Sequence, residues 1–472
     1  MISVKRRGAA RLAAAVLASG LVAAGAIATA GPAAADDAPP GHSGVTATLG
    51  GLTTYDQAVI HDHGRDQKIG AGLFEMAVDG GGALQTYCID IHNPTQDQAK
   101  YQEVPWSQSS LHNNADAGKI RWILQNSYPQ VNDLATLAQK ADAGTLTEKT
   151  AAAGTQVAIW RFSDKADVEA VDPAAEKLAD YLEKSAQDLA EPTASLTLDP
   201  PAVSGKPGSR IGPVTVHTNA QSATVTPAAD APAGVSIVDK DGKAVAKDGK
   251  PLGTVSNGSQ LFFDVPAGAE DGATTMTVQA ATKVPVGRAF TGVGEHAKSQ
   301  TQILAGSSES TVSAVAGASW AKQGAVPAVT AEKDCAKGGV DVTVSNKGDE
   351  AFGFQLSGKD HEVAPGKSET VTVPVGEDQS YEITVKGAGG FSKTFSGVLD
   401  CKTAGSGGDS SPSPAPSAHP SPASAGGTGG DSAGDLAETG SSSATPVIAG
   451  IAVVLVVIGG AAVFFLRKKK TV

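Results

Sequence analysis

One glutamine interrupts an otherwise apolar helix face between Thr145 and Phe162. Thr145 and Glu148 stand at capping-box spacing, and Ala152, Gln156, Ile159 and Trp160 recur at intervals that place them on one face. Such a stripe is stable only when packed against a second layer, and the Gln156 carboxamide is then buried with it. Burying an unpartnered carboxamide costs roughly 2–7 kcal/mol. Two outcomes avoid that cost. Gln156 either hydrogen-bonds to a neighbouring strand, or a thiolate has attacked its Cδ carbonyl and displaced ammonia.

The cysteines bear on the choice. There are three, Cys88, Cys335 and Cys401. The last two bracket a β-patterned segment and make a natural pair. Cys88 is left over, in Tyr87-Cys88-Ile89-Asp90, which reads as a half-buried strand. The ordinary reading of such a residue is an inert buried thiol. In an exported protein an unpaired cysteine points instead to intermolecular pairing or a special thiol. Export is expected here because residues 1–35 read as a secretory signal peptide. Lys5, Arg6, Arg7 and Arg11 precede an apolar stretch from Leu12 to Ala28, and Ala33-Ala34-Ala35 and Ala28-Thr29-Ala30 both offer cleavage sites.

Thr155-Gln156-Val157-Ala158 resembles the TQxA signature of the thioester domains of Gram-positive (actinobacterial-like) surface adhesins. Tyr87-Cys88-Ile89 and the downstream Ile159-Trp160 are similar to that family as well. The resemblance covers roughly Val45 to Pro192. It implies a spontaneous cross-link between Cys88 and Gln156 that captures a nucleophile on a host or other surface. Water competes for such a bond, so an apolar pocket is expected around it, with Tyr87, Ile159 and Trp160 as its walls.

The rest of the chain reads as support. Residues 45–192 are expected to form an α+β unit, with strand-like runs (Val45 to Leu52, Gly70 to Val78) before Cys88. Helical patterns follow at Ala115 to Gln125, from Thr145, and at Pro173 to Leu189. Residues 194–324 turn to short alternating runs such as Val214 to His217, Leu261 to Val265 and Thr274 to Val278, expected as a β-sandwich spacer. Residues 325–402 form a second, Ig-like β module, with clean alternation at Val340 to Val344, Glu369 to Val373 and Tyr381 to Val385, clamped by Cys335 and Cys401. Residues 403–435, rich in Pro, Ser and Gly, cannot bury a core and read as a disordered wall-spanning linker.

Leu436-Ala437-Glu438-Thr439-Gly440 resembles a sortase motif in its LAxTG form. Residues 447–466 follow as 20 uncharged positions. That is about 30 Å as a helix, enough to cross a bilayer. Arg467-Lys468-Lys469-Lys470 then reads as a stop-transfer signal within a basic cytoplasmic tail, 467–472. The order implies cleavage after Thr439 by a sortase and attachment to peptidoglycan.

Charge excludes one class of partner. The formal net charge is −12, and without the basic ends it is −20. Nucleic-acid binding needs clustered Lys and Arg, so it is not expected, and the charge favours a soluble monomer. His61-Asp62-His63 offers two imidazoles but no evident third ligand, so no metal is expected. Cys88 and His92 lack the third group a cysteine peptidase needs. Asp239-Lys240-Asp241-Gly242 reads as a turn, not a calcium loop. The chemistry expected is single-turnover capture of an amine by an anchored adhesin, without cofactor, rather than enzymatic turnover. The alternatives are a non-covalent surface stalk and a secreted cysteine-dependent acyl transferase or hydrolase.

Overall fold

The computed structural model describes residues 43–62 and 64–401. The expected signal peptide, wall linker, LAETG motif, apolar span and basic tail lie outside them. Among the described residues no helix is long and apolar enough to cross a membrane.

The first module is built on a seven-stranded antiparallel sheet. Its order is Arg65–Val78, Ala83–Cys88, Gln302–Ser307, Ala289–Gly292, Lys100–Val104, Thr46–Asp62 and Val168–Ala170. The long strand Thr46–Asp62 also pairs with Arg65–Val78, so six of the strands close into a ring. Closure removes exposed strand edges around the Cys88 strand. Four helices complete the module: α1 (Ala117–Asn126), α2 (Leu134–Ala141), α3 (Glu148–Ser163) and α4 (Pro173–Ser185). α3 packs on the two long strands and is buried along nearly its whole length. Gly154 permits α4 to lie close against it. A Cβ there would stand 2.4 Å from the Ala175 carbonyl oxygen, a distance no side chain tolerates.

The cap of α3 differs from the sequence reading. Thr147, not Thr145, is the N-cap: its hydroxyl accepts from Thr150 N–H, and Thr150 Oγ1 accepts from Thr147 N–H at 2.9 Å. A second hydroxyl at the same three-residue spacing does the work expected of Glu148, and the helix starts that much later. α2 has no counterpart in the sequence reading; Asp133 caps it by accepting from Thr136 N–H. α4 ends at Ser185, before Leu189.

The domain boundary also needs correction. The sequence assigns 194–324 to a separate spacer, yet Ala289–Gly292 and Gln302–Ser307 lie inside the sheet of the first module, between the Cys88 strand and Lys100–Val104. In return, Ser43–Gly44 pairs with Glu309–Trp320 of the second module. Alternation reveals that a run is a strand, but not which sheet it joins, and these pairings span some 200 residues of chain. The remainder of 194–324, with Ser43–Gly44 added at the edge of one sheet, forms the expected sandwich of two six-stranded sheets. Its Asp239–Gly242 turn is closed by Asp239 Oδ1, which accepts from Asp241 and Lys243 N–H.

A buried ion pair locks the exchange. Glu103 accepts from Arg288 Nε at 2.9 Å, from Val45 N–H at 3.2 Å and from Ser195 N–H at 3.1 Å, and Arg288 also reaches Glu191 at 2.7 Å. The two side chains are 1% and 4% exposed. Removing Glu103 takes the acceptor from the buried Arg288 Nε and leaves Glu191 as that guanidinium's remaining carboxylate. Glu103→Ala should therefore cost roughly 3–5 kcal/mol, read as a lower urea midpoint at unchanged slope. An unshifted midpoint would mean the pair is not a lock.

The third module is a sandwich of three strands (Pro327–Asp334, Gly339–Asn346, Ser368–Pro374) on four (Lys359–Val363, Phe352–Leu356, Gln379–Gly387, Ser392–Leu399). Val340, Val342, Val344, Phe352, Phe354 and Val385 fill it. The Cys335–Cys401 disulfide is present, with Cα atoms 5.5 Å apart. Closing a loop of this length stabilises by roughly 4 kcal/mol in the chain-entropy model.

Candidate functional site

The site lies where α3 crosses the end of the Cys88 strand. Gln156 is fully buried and Cys88 is 1% exposed. The carboxamide is docked on the peptide groups of Cys88 itself: Cys88 N–H donates to Gln156 Oε1 at 2.9 Å, and Gln156 Nε2 donates to the Cys88 carbonyl at 2.9 Å. Both ends of the amide are therefore held by the residue that carries the thiol. The sulfur is a free thiol that accepts from Trp160 Nε1 and from Asp90 N–H, each at 3.3 Å.

Those contacts have chemical consequences. Burial pushes the Cys88 thiol well above its usual range, and the charge of Asp164 adds to the shift. The N–H groups of Trp160 and Asp90 oppose it, because they stabilise a thiolate. Attack of sulfur on Gln156 Cδ would develop negative charge on Oε1, where the Cys88 N–H already points. Nitrogen would depart from the side facing the Cys88 carbonyl. The helix also secures the register: Thr155 Oγ1 bonds to Ser127 Oγ at 2.7 Å, on the chain just beyond α1.

The residues expected as pocket walls separate into different roles. Trp160 touches the sulfur. Tyr87 is buried with its hydroxyl donating to the Tyr128 carbonyl at 2.8 Å. Ile159 is buried in the helix–sheet core. His92, weighed as a peptidase partner of Cys88, is exposed in the turn after the strand. His61 ends a strand rather than lying in a loop, and its Nδ1 is 2.8 Å from Asp66, whose hydrogen bond raises the imidazole pKa. His63 lies outside the described residues.

The sequence reading missed a polar layer supplied by the returning strand. Gln302 pairs in register with Cys88, and Thr86 Oγ1 donates to Gln302 Oε1 at 3.0 Å. Gln300 Nε2 donates to the Asp90 carbonyl at 2.6 Å, and Tyr101 Oη bonds to Ser299 Oγ and the Gln300 carbonyl, each at 2.7 Å. Ser299, Gln300, Thr301 and Gln302 are all buried. The available signal was that unbroken polar run directly ahead of the apolar Ile303-Leu304-Ala305. Asp164, at the C-cap of α3, was missed as well. It accepts from Ile91 N–H at 3.0 Å and from Ser163 Oγ at 2.6 Å.

Comparison with known proteins agrees with this geometry. Residues 85–188 match the family model for the thioester domain. Residues 327–398, nearly the whole third module, match that for the bacterial phospholipase C, C-terminal domain. No curated protein matches the chain. Among solved structures, the Bacillus anthracis TIE protein is 15% identical, over 76% of this chain and 81% of its own, with a TM-score of 0.26. The thioester domain of the Enterococcus faecium TIE86 protein is 16% identical, over 59% of this chain and 97% of its own, with a TM-score of 0.27. A Salmonella enterica SafA pilin, in complex with the SafB chaperone, is 15% identical over 44% of this chain and 99% of its own, with a TM-score of 0.16. Scores this low carry no argument, so the assignment rests on the family match and on the Cys88–Gln156 pair that falls within it. On those grounds residues 85–188 are assigned to the thioester domain family.

Proposed function

We propose that this protein is an adhesin that captures amine nucleophiles on a target surface through a Cys88–Gln156 thioester. The observation that carries the reading is the docking of the Gln156 carboxamide on both peptide groups of Cys88, with Trp160 donating to the sulfur. Formation joins Sγ to Cδ and releases ammonia. Holding the two groups in register provides the effective concentration that a free thiol and amide lack. Capture then reverses the roles: a lysine ε-amine attacks Cδ, the Cδ–Sγ bond breaks, and a stable amide remains with a free Cys88 thiol. The protein is consumed as it acts, so it is a single-turnover binder and not an enzyme. The two β modules act as the stalk, and Leu436 to Gly440 serves as the sortase site that joins Thr439 to peptidoglycan. The acidic mature chain works as a monomer at the cell surface.

Intact mass tests the chemistry. Freshly purified mature protein at neutral pH should be lighter than its composition by one ammonia. Incubation with methylamine should add one amine at Gln156 and expose one thiol at Cys88. A full unmodified mass would return the protein to a non-covalent surface stalk.

A further inference from the structure

We propose that the third module carries a calcium site, independent of the thioester, formed by Glu377, Asp378 and Asp400 beside the Cys335–Cys401 disulfide.

The main chain brings the three carboxylates together. Glu377 and Asp378 lie in the turn between Ser368–Pro374 and Gln379–Gly387, and Asp400 follows the last strand, Ser392–Leu399. Asp378 N–H donates to the Leu399 carbonyl at 2.8 Å, and Glu377 Oε1 accepts from Cys401 N–H at 2.5 Å. These bonds grip the chain on either side of Asp400, and the disulfide ties Cys401 to Cys335. One carboxylate oxygen from each of the three residues then lies within 4.8 Å of the others. Like charges held that close repel one another unless a cation lies among them.

Asp400 distinguishes this cluster from an ordinary acidic surface. It is 5% exposed, and among the described residues its Oδ1 has no hydrogen-bond partner. Leu399, Val375 and the two half-cystines pack together at this end of the module. A buried carboxylate oxygen needs a donor or a cation. Lys333, half-buried on Pro327–Asp334, is near enough for its charge to act on Asp400, but among the described residues it makes no ion pair with it. Burial, with the charges of Asp90, Asp378 and Glu377 adding and that of Lys333 opposing, pushes the Asp400 carboxyl up to about 7. An ion among the three carboxylates supplies the missing partner.

The donors select the class of ion. All are hard carboxylate oxygens, with neither sulfur nor imidazole among them, which suits calcium or magnesium and not zinc. They stand at graded depth, with Asp400 buried, Glu377 half-buried and Asp378 exposed, so water completes the shell on the outer side. Calcium accepts such an irregular set within its about six to eight oxygens, whereas magnesium demands near-octahedral geometry and dehydrates reluctantly. Bound there, calcium ties the turn to the end of the last strand, as a second clasp beside the disulfide.

Calorimetric titration of calcium chloride into mature protein stripped with EDTA tests the site. The wild type should bind one calcium per chain with a dissociation constant of roughly 10⁻⁴–10⁻³ M, the range of extracellular modules. Calcium at about ten times that constant should raise the melting temperature of the module by roughly 5 °C. Asp378→Asn and Asp400→Asn should each weaken binding at least about tenfold, because affinity follows the number of charged ligands. Asp360→Asn, at another acid of the same module, should change nothing. Asp378 is exposed, so its variant decides alone should Asp400→Asn fail to fold. A wild type that binds no calcium overturns the proposal. So does binding unchanged by Asp378→Asn, which places the ion elsewhere on this acidic chain, and so does equal affinity for magnesium chloride. Intact mass on the same samples reads the ammonia deficit, which depends on Cys88 and Gln156 alone, so failure of the calcium site and failure of the thioester are told apart.

Discussion

Cys88→Ala should abolish covalent capture while leaving the module folded. The structure lets the two effects be weighed separately. The hydrogen bonds of the Gln156 carboxamide go to the peptide groups of residue 88, not to its side chain. An alanine keeps both, so the restored amide is not orphaned. What disappears is the acceptor for Trp160 Nε1 and Asp90 N–H. Leaving a buried donor unsatisfied costs roughly 1–3 kcal/mol, a sizeable but survivable part of the 5–15 kcal/mol typical of domains. The chemistry has no such margin. A carboxamide is a poor electrophile, and without the thiolate there is no acyl group to transfer. Wild-type protein mixed with an amine-bearing fluorophore should become labelled through denaturing electrophoresis, and the variant should not, although the two melt cooperatively within a few degrees of each other. Adducts on Cys88→Ala that survive boiling would show that another group does the capturing.

The chemical pair was legible in the sequence because each member broke a local rule. Gln156 is a polar residue on a buried stripe, and Cys88 is the odd cysteine in a chain whose other two have partners. The third module was legible for a similar reason: alternation at Val340 to Val344 and Tyr381 to Val385 has one period and one core to face. What could not be read is what depends on long-range pairing. Ala289–Gly292 and Gln302–Ser307 look like any other short strands of the second module, and only register with Val104 and Cys88 reveals their sheet. The polar layer of Ser299 to Gln302 was hidden with them. In isolation that run resembles a loop, and it becomes comprehensible only as the partner of Thr86, Asp90 and Tyr101. Asp164 was passed over because an acidic residue after a helix reads as a solvated end, whereas this one turns back onto Ile91.

The same interleaving yields the second large expected effect: residues 45–192 produced alone should neither fold cooperatively nor lose ammonia, whereas residues 43–326 should do both. The shorter piece lacks the two returning strands. Its Cys88 strand then has an open edge where Gln302, Ile303 and Leu304 pair in the whole protein. Such an edge invites aggregation. Glu103 loses Arg288 and Ser195 together, and a buried carboxylate stripped of its partner costs roughly 3–5 kcal/mol. Removal of Gln300 and Gln302 takes away hydrogen bonds to Asp90 and Thr86, on either side of Cys88. With the loss of Phe290, Ile303 and Leu304, all fully buried, these terms together exceed the stability that a domain typically holds. The thioester is sensitive to less than complete unfolding, because it needs Gln156 and Cys88 in register and not merely near. Circular dichroism melts and intact mass on the two pieces decide the matter. A 45–192 piece that melts cooperatively and is lighter by one ammonia would show that the returning strands are dispensable, and that the second module is joined to the site without building it.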